Sequence, residues 1–126
     1  MFGWLTTLLA TLTGASGAGS TAFKNTRVDE FEKMMADAQA VILDVRTPRE
    51  YKGGHIKGAI NLDYYSADFE LKVAAMDKSK TYLVLCASGV RSVKACNKLA
   101  GLKFDKLFNL SGGFMAWQGA GKPVEK

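Results

Sequence analysis

Blocks rich in apolar residues alternate with polar stretches along residues 23–126, and the apolar blocks show two different patterns. Some blocks are short continuous runs, which are typical of strands covered on both faces of a sheet. In the segments between them, apolar residues recur every three or four positions, as on the buried face of a helix. This succession of strands and helices predicts an α/β domain with a parallel sheet. The predicted strands are 23–25, 41–45, 59–62, 82–85 and 106–110.

The predicted helices begin and end at residues that favour helix termini. The longer ones are 27–38, 63–76 and 90–101, and single turns begin at Pro48 and near Phe114. Thr26 and Asp29 have the spacing of a capping box for the first helix. Thr47 is placed to cap the turn at Pro48, and Gly101 to end the helix that starts at residue 90.

The predicted strand 82–85 stops at a cysteine, Cys86, and a tight loop of small residues follows it, namely Ala87, Ser88 and Gly89. In a parallel sheet this places Cys86 at the carboxyl end of a strand, where ligand sites form. Successive N–H groups of such a loop, together with the N-terminus of the next helix, favour an anion at the cysteine sulfur. They would lower the pKa of the thiol below its unperturbed value of about 8.5. We interpret Cys86 as a nucleophile. The alternative is a small buried hydrophobe, as most free cysteines are.

The second cysteine, Cys96, lies on the apolar face of the helix that follows the loop. It shares that face with Val93 and Leu99, at helical spacing. We predict that Cys96 is a core residue, and the alternative is a resolving thiol for Cys86.

Composition and charge exclude several classes of function. The chain has 126 residues, 48% of them apolar and 23% charged, which suits one globular domain. The net charge is +5, but its lysines are scattered without interleaved aromatics, so a nucleic-acid groove is not expected. Two cysteines and one histidine do not form a zinc cluster.

Residues 1–22 form a separate segment, because they contain no charged side chain and end in a Gly/Ser-rich stretch. An export signal, a short docked helix and a frayed tail are all compatible with this pattern. Its apolar stretch is shorter than the roughly 20 residues of a membrane span, so no stable span is expected. We predict a domain over residues 23–126 and favour a cytoplasmic location, with periplasmic export through residues 1–17 as the alternative.

Five motifs, in this order, resemble those of the rhodanese domain, and the resemblance covers residues 23–124. They are Asp44-Val45-Arg46 with Glu50-Tyr51, Gly54-His55-Ile56, Gly58-Ala59-Ile60-Asn61, Cys86-Ala87-Ser88-Gly89-Val90-Arg91-Ser92, and Leu110-Ser111-Gly112-Gly113 with Ala116-Trp117. The resemblance implies a three-layer domain, with a five-stranded parallel sheet flanked by helices and the cysteine loop as its active site.

The resemblance also implies a reaction. Members of this fold that remove phosphate carry five residues between cysteine and arginine, whereas four separate Cys86 from Arg91 here, as in sulfurtransferases. The implied enzyme moves sulfane sulfur from thiosulfate, or a related persulfide donor, to cyanide or a thiol such as glutathione or thioredoxin, through a persulfide on Cys86. It needs no metal or organic cofactor. The alternative is a sulfur-carrier or binding module that acts only with a specific partner.

Roles for the remaining site residues follow from the same resemblance. The persulfide is expected to be held by the backbone N–H groups of the loop, which are those of Ala87, Ser88, Gly89, Val90 and Arg91. The Arg91 side chain either binds the donor or braces the loop against Asp44 or Glu50, and both remain open. Arg46 is a further candidate donor ligand, and His55 is expected to belong to a structural turn.

Overall fold

The computed structural model describes residues 22–126, so the predictions made for the N-terminal segment lie outside the described residues. Five strands and five helices alternate along the chain. The strands are β1 (Lys24–Thr26), β2 (Ala40–Asp44), β3 (Ile60–Asn61), β4 (Thr81–Leu85) and β5 (Leu107–Leu110). The helices are α1 (Val28–Met34), α2 (Pro48–Lys52), α3 (Phe69–Ala74), α4 (Val90–Gly101) and α5 (Gly113–Gly119). None of the helices in the described part of the chain is long and apolar enough to cross a membrane.

All strand pairs are parallel, and the sheet has the order β1-β5-β4-β2-β3. β4 is therefore the central strand, with hydrogen-bonded neighbours on both sides. Its residues from Tyr82 to Leu85 are at most 2% exposed, as expected for a continuous apolar run. The predicted α/β class and the five-stranded parallel sheet are confirmed.

Helices cover both faces of the sheet, and each face has its own apolar core. Side chains of β4 alternate between the two cores, since successive residues of a strand point to opposite faces. Tyr82, Val84 and Cys86 join the core beneath α3 and α4. Leu83 and Leu85 join the core that contains residues of α1 and α5, including Phe31, Phe114 and Trp117. The molecule thus has the three layers that the resemblance implied.

The start of α1 differs from the prediction. α1 spans Val28–Met34 and its N-cap is Arg27, which makes no side-chain capping hydrogen bond. Thr26 belongs to β1 instead, and its hydroxyl donates to the carbonyl of Asn109 at 3.1 Å. The proposed capping box of Thr26 and Asp29 is wrong because the sheet uses the threonine side chain.

Two other helix boundaries also differ. α3 begins only at Phe69, because the carboxylate of Asp63 accepts the N–H of Tyr65 at 2.9 Å and fixes a turn where helix was predicted. α4 continues through Gly101, and the left-handed residue after it is Lys103, with φ of 77°. Thr47 caps the turn that begins at Pro48, as predicted, and Glu50 extends this cap to a capping box.

Candidate active site

The thiol of Cys86 lies at the carboxyl end of the central strand, where the loop folds back over it. Cys86 is 1% exposed. Its Sγ accepts the backbone N–H of Gly89 at 3.1 Å, and the hydroxyl of Ser92 lies 3.4 Å from Sγ. Gly89 is the N-cap of α4 and has a φ of 105°, a left-handed conformation that favours glycine. The loop therefore wraps hydrogen-bond donors around one sulfur atom.

These donors determine the ionisation of the thiol. Burial raises the pKa of Cys86, but hydrogen bonds from the Ser92 hydroxyl and from the N–H groups of Ser92, Gly89 and Ser88 lower it. The net effect is a pKa below the ordinary value for cysteine. The site therefore favours the thiolate, the nucleophilic form of the side chain, more than the surroundings of an ordinary cysteine do.

The first turn of α5 holds the Cys86 loop from behind. The N–H of Phe114 donates to the carbonyl of Cys86 at 2.8 Å, and the N–H of Met115 donates to that of Ala87 at 3.0 Å. The approach is so close that a Cβ on Gly113 would lie 2.5 Å from the carbonyl oxygen of Cys86. From the sequence we predicted a turn here, near the site, but no role in shaping the cysteine loop.

The side chain of Arg91 braces the loop against Glu50. Its two terminal nitrogens donate to the two carboxylate oxygens of Glu50, at 2.8 and 3.0 Å. One of these oxygens, Glu50 Oε1, also accepts the N–H and hydroxyl of Thr47, at 2.9 and 3.1 Å. Arg91 and Thr47 together hold the pKa of Glu50 at about 2, against the opposing effect of burial. Of the two partners considered from the sequence, Glu50 is the one that Arg91 contacts.

Asp44 and Arg46 form a separate, buried ion pair. They are 0% and 4% exposed, and Arg46 Nη2 lies 2.7 Å from Asp44 Oδ2. The same nitrogen donates to the carbonyl of Gly54 at 2.8 Å, and the guanidinium lies 4.1 Å from the ring centre of Phe114. Arg46 is therefore held by contacts within the protein, and the donor-binding role considered from the sequence stays a prediction.

Comparison with known proteins identifies the family. The family model for the rhodanese-like domain matches residues 27–120 of this chain. The chain belongs to the rhodanese-like family.

Relatives of this rhodanese domain are named as sulfurtransferases. The chain is 32% identical over 100 residues to thiosulfate sulfurtransferase GlpE of Shewanella oneidensis, a match covering 79% of this chain and 97% of that protein. It is 31% identical to a sulfurtransferase of Allochromatium vinosum, over 76% of this chain and 89% of the relative. The crystal structure of a rhodanese-related protein from Thermoplasma volcanium aligns with a TM-score of 0.73 and 27% identity, over 81% of this chain and 97% of that one.

Ser92 is the site residue that the sequence interpretation missed. It is completely buried, and its hydroxyl points back from the first turn of α4 to the sulfur of Cys86. The sequence signal that could have found Ser92 is its position immediately after Arg91, in the first turn of the predicted helix. That helix start lies beside the loop whose N–H groups surround the thiol. We therefore expect Ser92 to orient and stabilise the Cys86 thiolate in this rhodanese domain.

We expect Ser92→Ala to raise the pKa of Cys86, because the variant loses the hydroxyl that stabilises the ionised sulfur. The rate of persulfide formation at pH 7 should fall roughly tenfold, as for other lost hydrogen bonds to a charged group. Iodoacetamide alkylation of Cys86, followed across pH, should show its midpoint at higher pH than in the unmodified protein. An unchanged profile would exclude this role for Ser92.

Cys96 and His55 have the structural positions predicted for them. Cys96 is 0% exposed, and burial, together with the nearby Cys86, raises the pKa of its thiol to about 12. The ring of His55 stacks on Tyr51 at 3.9 Å, and its Nδ1 lies 2.9 Å from the Tyr51 carbonyl. The backbone of His55 forms a bridge with Glu125. Within residues 22–126, no three His, Cys, Asp or Glu side chains are grouped so that they could hold a metal ion.

Replacing Cys96 by alanine should preserve sulfur transfer, because a buried thiol with this pKa remains protonated at neutral pH. The lost packing should reduce the free energy of unfolding by about 1 kcal/mol, at the low end for a large-to-small core change. Steady-state activity and urea denaturation measure the two effects. Loss of sulfur transfer in a folded Cys96→Ala protein would instead indicate a resolving thiol.

Proposed function

We propose that this protein is a thiosulfate sulfurtransferase, which carries sulfane sulfur on Cys86 from thiosulfate or a related donor to cyanide or a thiol. The observation that carries the proposal is the position of Cys86 Sγ, 3.1 Å from the Gly89 N–H and 3.4 Å from the Ser92 hydroxyl. Such an arrangement stabilises an anion on sulfur, whether thiolate or persulfide. The name of thiosulfate sulfurtransferase GlpE supports the same reaction, and that of the Allochromatium vinosum sulfurtransferase supports sulfur transfer.

In the first half-reaction, the Cys86 thiolate attacks the outer sulfur of thiosulfate. A bond forms between Sγ and that sulfur, the bond to the sulfonate sulfur breaks, and its electron pair leaves with sulfite. The product is a Cys86 persulfide anion. The loop N–H groups are already oriented before the reaction, so that they need little reorganisation to bind the negative charge of the new terminal sulfur.

In the second half-reaction, an acceptor removes the terminal sulfur. Cyanide attacks it, the disulfur bond breaks, and thiocyanate leaves while the electron pair returns to Cys86 as thiolate. A thiolate acceptor such as that of glutathione or thioredoxin reacts in the same way and becomes a persulfide. The enzyme alternates between two covalent states, so ping-pong kinetics are expected.

Intact-mass analysis tests the proposal directly. Incubation with thiosulfate should add one sulfur atom to the protein, and cyanide should then remove it and release thiocyanate in equal amount. Cys86→Ser should gain no sulfur under the same conditions. A wild-type protein that gains no sulfur from thiosulfate would contradict the proposal. Sulfur gain followed by transfer only to a protein partner, and not to cyanide, would instead indicate a carrier module.

A further inference from the structure

The guanidinium of Arg91 pairs with Glu50 and is therefore not free to bind an anionic sulfur donor. Both terminal nitrogens of Arg91 lie within 3.0 Å of the carboxylate oxygens of Glu50. Glu50 is itself fixed, because the Thr47 N–H and hydroxyl donate to its Oε1. The ion pair is half-buried, with side-chain exposures of 17% for Arg91 and 35% for Glu50. The positive charge of Arg91, which would attract an anionic sulfur donor, is therefore neutralised by Glu50.

The other arginine considered for donor binding, Arg46, is neutralised in the same way. Its guanidinium donates to Asp44 and to the carbonyl of Gly54, and it is 4% exposed. The Cys86 thiolate adds a negative charge of its own. Neither arginine therefore offers an unpaired charge to a sulfur donor, and each additional negative charge on that donor increases its repulsion from the anionic sulfur of Cys86.

Apolar side chains border the same loop. Val90, which directly follows Gly89, is 62% exposed, and Met115 is 66% exposed. Met115 is adjacent to the loop because its N–H donates to the carbonyl of Ala87. The ring of Tyr65 is 68% exposed and lies 5.5 Å from the guanidinium of Arg91. These three residues, from three separate segments, offer apolar contact to a donor that carries an organic group.

We propose that Glu50 is a specificity-determining residue, and that the site takes a singly charged sulfane donor on an organic carrier in preference to the thiosulfate dianion. Suitable donors are persulfides and thiosulfonates. This inference rests on the proposed function and specifies its donor class. For a thiosulfonate, the Cys86 thiolate bonds to the terminal sulfur, the bond from that sulfur to the sulfonyl sulfur breaks, and the electron pair leaves with the sulfinate.

The test compares thiosulfate with benzenethiosulfonate, an apolar monoanion, as donors in single-turnover persulfide formation. The ratio of their rate constants is divided by the ratio for free cysteine, which removes their intrinsic reactivities. This corrected ratio should favour benzenethiosulfonate in the wild-type protein. Glu50→Gln removes the carboxylate that neutralises Arg91, so kcat/KM for thiosulfate should rise about fivefold, mainly through a lower KM. The change for benzenethiosulfonate should be smaller. Glutamine also occupies this capping-box position well.

Two further variants separate charge from structure. Glu70→Gln is the matched control, because Glu70 pairs with Lys98 at 2.7 Å, about 10 Å further along α4 than Arg91, and it should leave the ratio unchanged. Glu50→Gln combined with Arg91→Met should return the ratio to the wild-type value, since no guanidinium remains to be released. If Glu50→Gln changes both donors equally, or neither, the inference is overturned while the proposed function stands. If neither donor adds sulfur to the wild-type protein, the proposed function itself fails.

Discussion

Replacing Cys86 by serine is expected to abolish sulfur transfer and to leave the fold intact. The hydroxyl occupies nearly the same volume as the thiol, in a position that is 1% exposed and supplied with hydrogen-bond partners. It is far too weakly acidic to form the anion that attacks a sulfane sulfur. The rate of thiosulfate:cyanide sulfur transfer should fall at least about 1000-fold, as expected when a covalent nucleophile is removed.

Circular dichroism and thermal denaturation of Cys86→Ser establish that the variant is folded. The matched control is the corresponding change at the other cysteine, Cys96→Ser, which should remain active if it folds. Substantial thiocyanate formation by Cys86→Ser would show that the nucleophile lies elsewhere.

Gly89→Val is expected to inactivate the site without removing its nucleophile. Gly89 has a φ of +105°, and an added Cβ would lie 3.4 Å from the backbone nitrogen of Gly112, which lies between β5 and α5. A valine would therefore move the backbone, and with it the N–H that now donates to Cys86 Sγ at 3.1 Å. Loss of one preorganised donor costs roughly 100-fold or more in rate. The strain costs about 1 to 3 kcal/mol, which the fold should tolerate.

The accompanying measurement is the pH profile of iodoacetamide alkylation at Cys86, with Cys96 replaced. The pKa of Cys86 should rise in Gly89→Val, because a hydrogen bond to the thiolate is lost. Gly58→Val controls for strain alone, since Gly58 has a φ of +86° and an added Cβ there meets nothing within 4 Å. Its activity should remain at the wild-type level. Equal alkylation profiles and equal activities for the two variants would exclude activation of Cys86 by the backbone loop.

The elements that the sequence predicted well are those whose pattern is set by burial. β4 is covered on both faces and has no alternation, so its apolar run and the cysteine that ends it identified the site. The parallel sheet followed from the regular succession of such runs. Helix boundaries were less predictable because local side-chain hydrogen bonds compete with helix, as Asp63 does before α3 and Thr26 does before α1.

Contacts between distant parts of the chain were outside the reach of sequence reasoning. Arg91 and Glu50 are separated by 41 positions, and either Asp44 or Glu50 fitted as the partner of Arg91. The hydrogen bonds from Phe114 and Met115 to the cysteine loop depend on how β5 and α5 pack. The orientation of the Ser92 hydroxyl depends on the exact angle at which α4 leaves the loop.

The link between the cysteine loop and the start of α5 has a consequence for the newly made chain. The carbonyls of Cys86 and Ala87 are held by residues 114 and 115, which leave the ribosome well after the cysteine does. Until those residues are in place, the loop lacks these two hydrogen bonds, and we expect Cys86 to have the modest reactivity of a thiol in an unfolded peptide. Its full reactivity appears only in a molecule that has completed its fold.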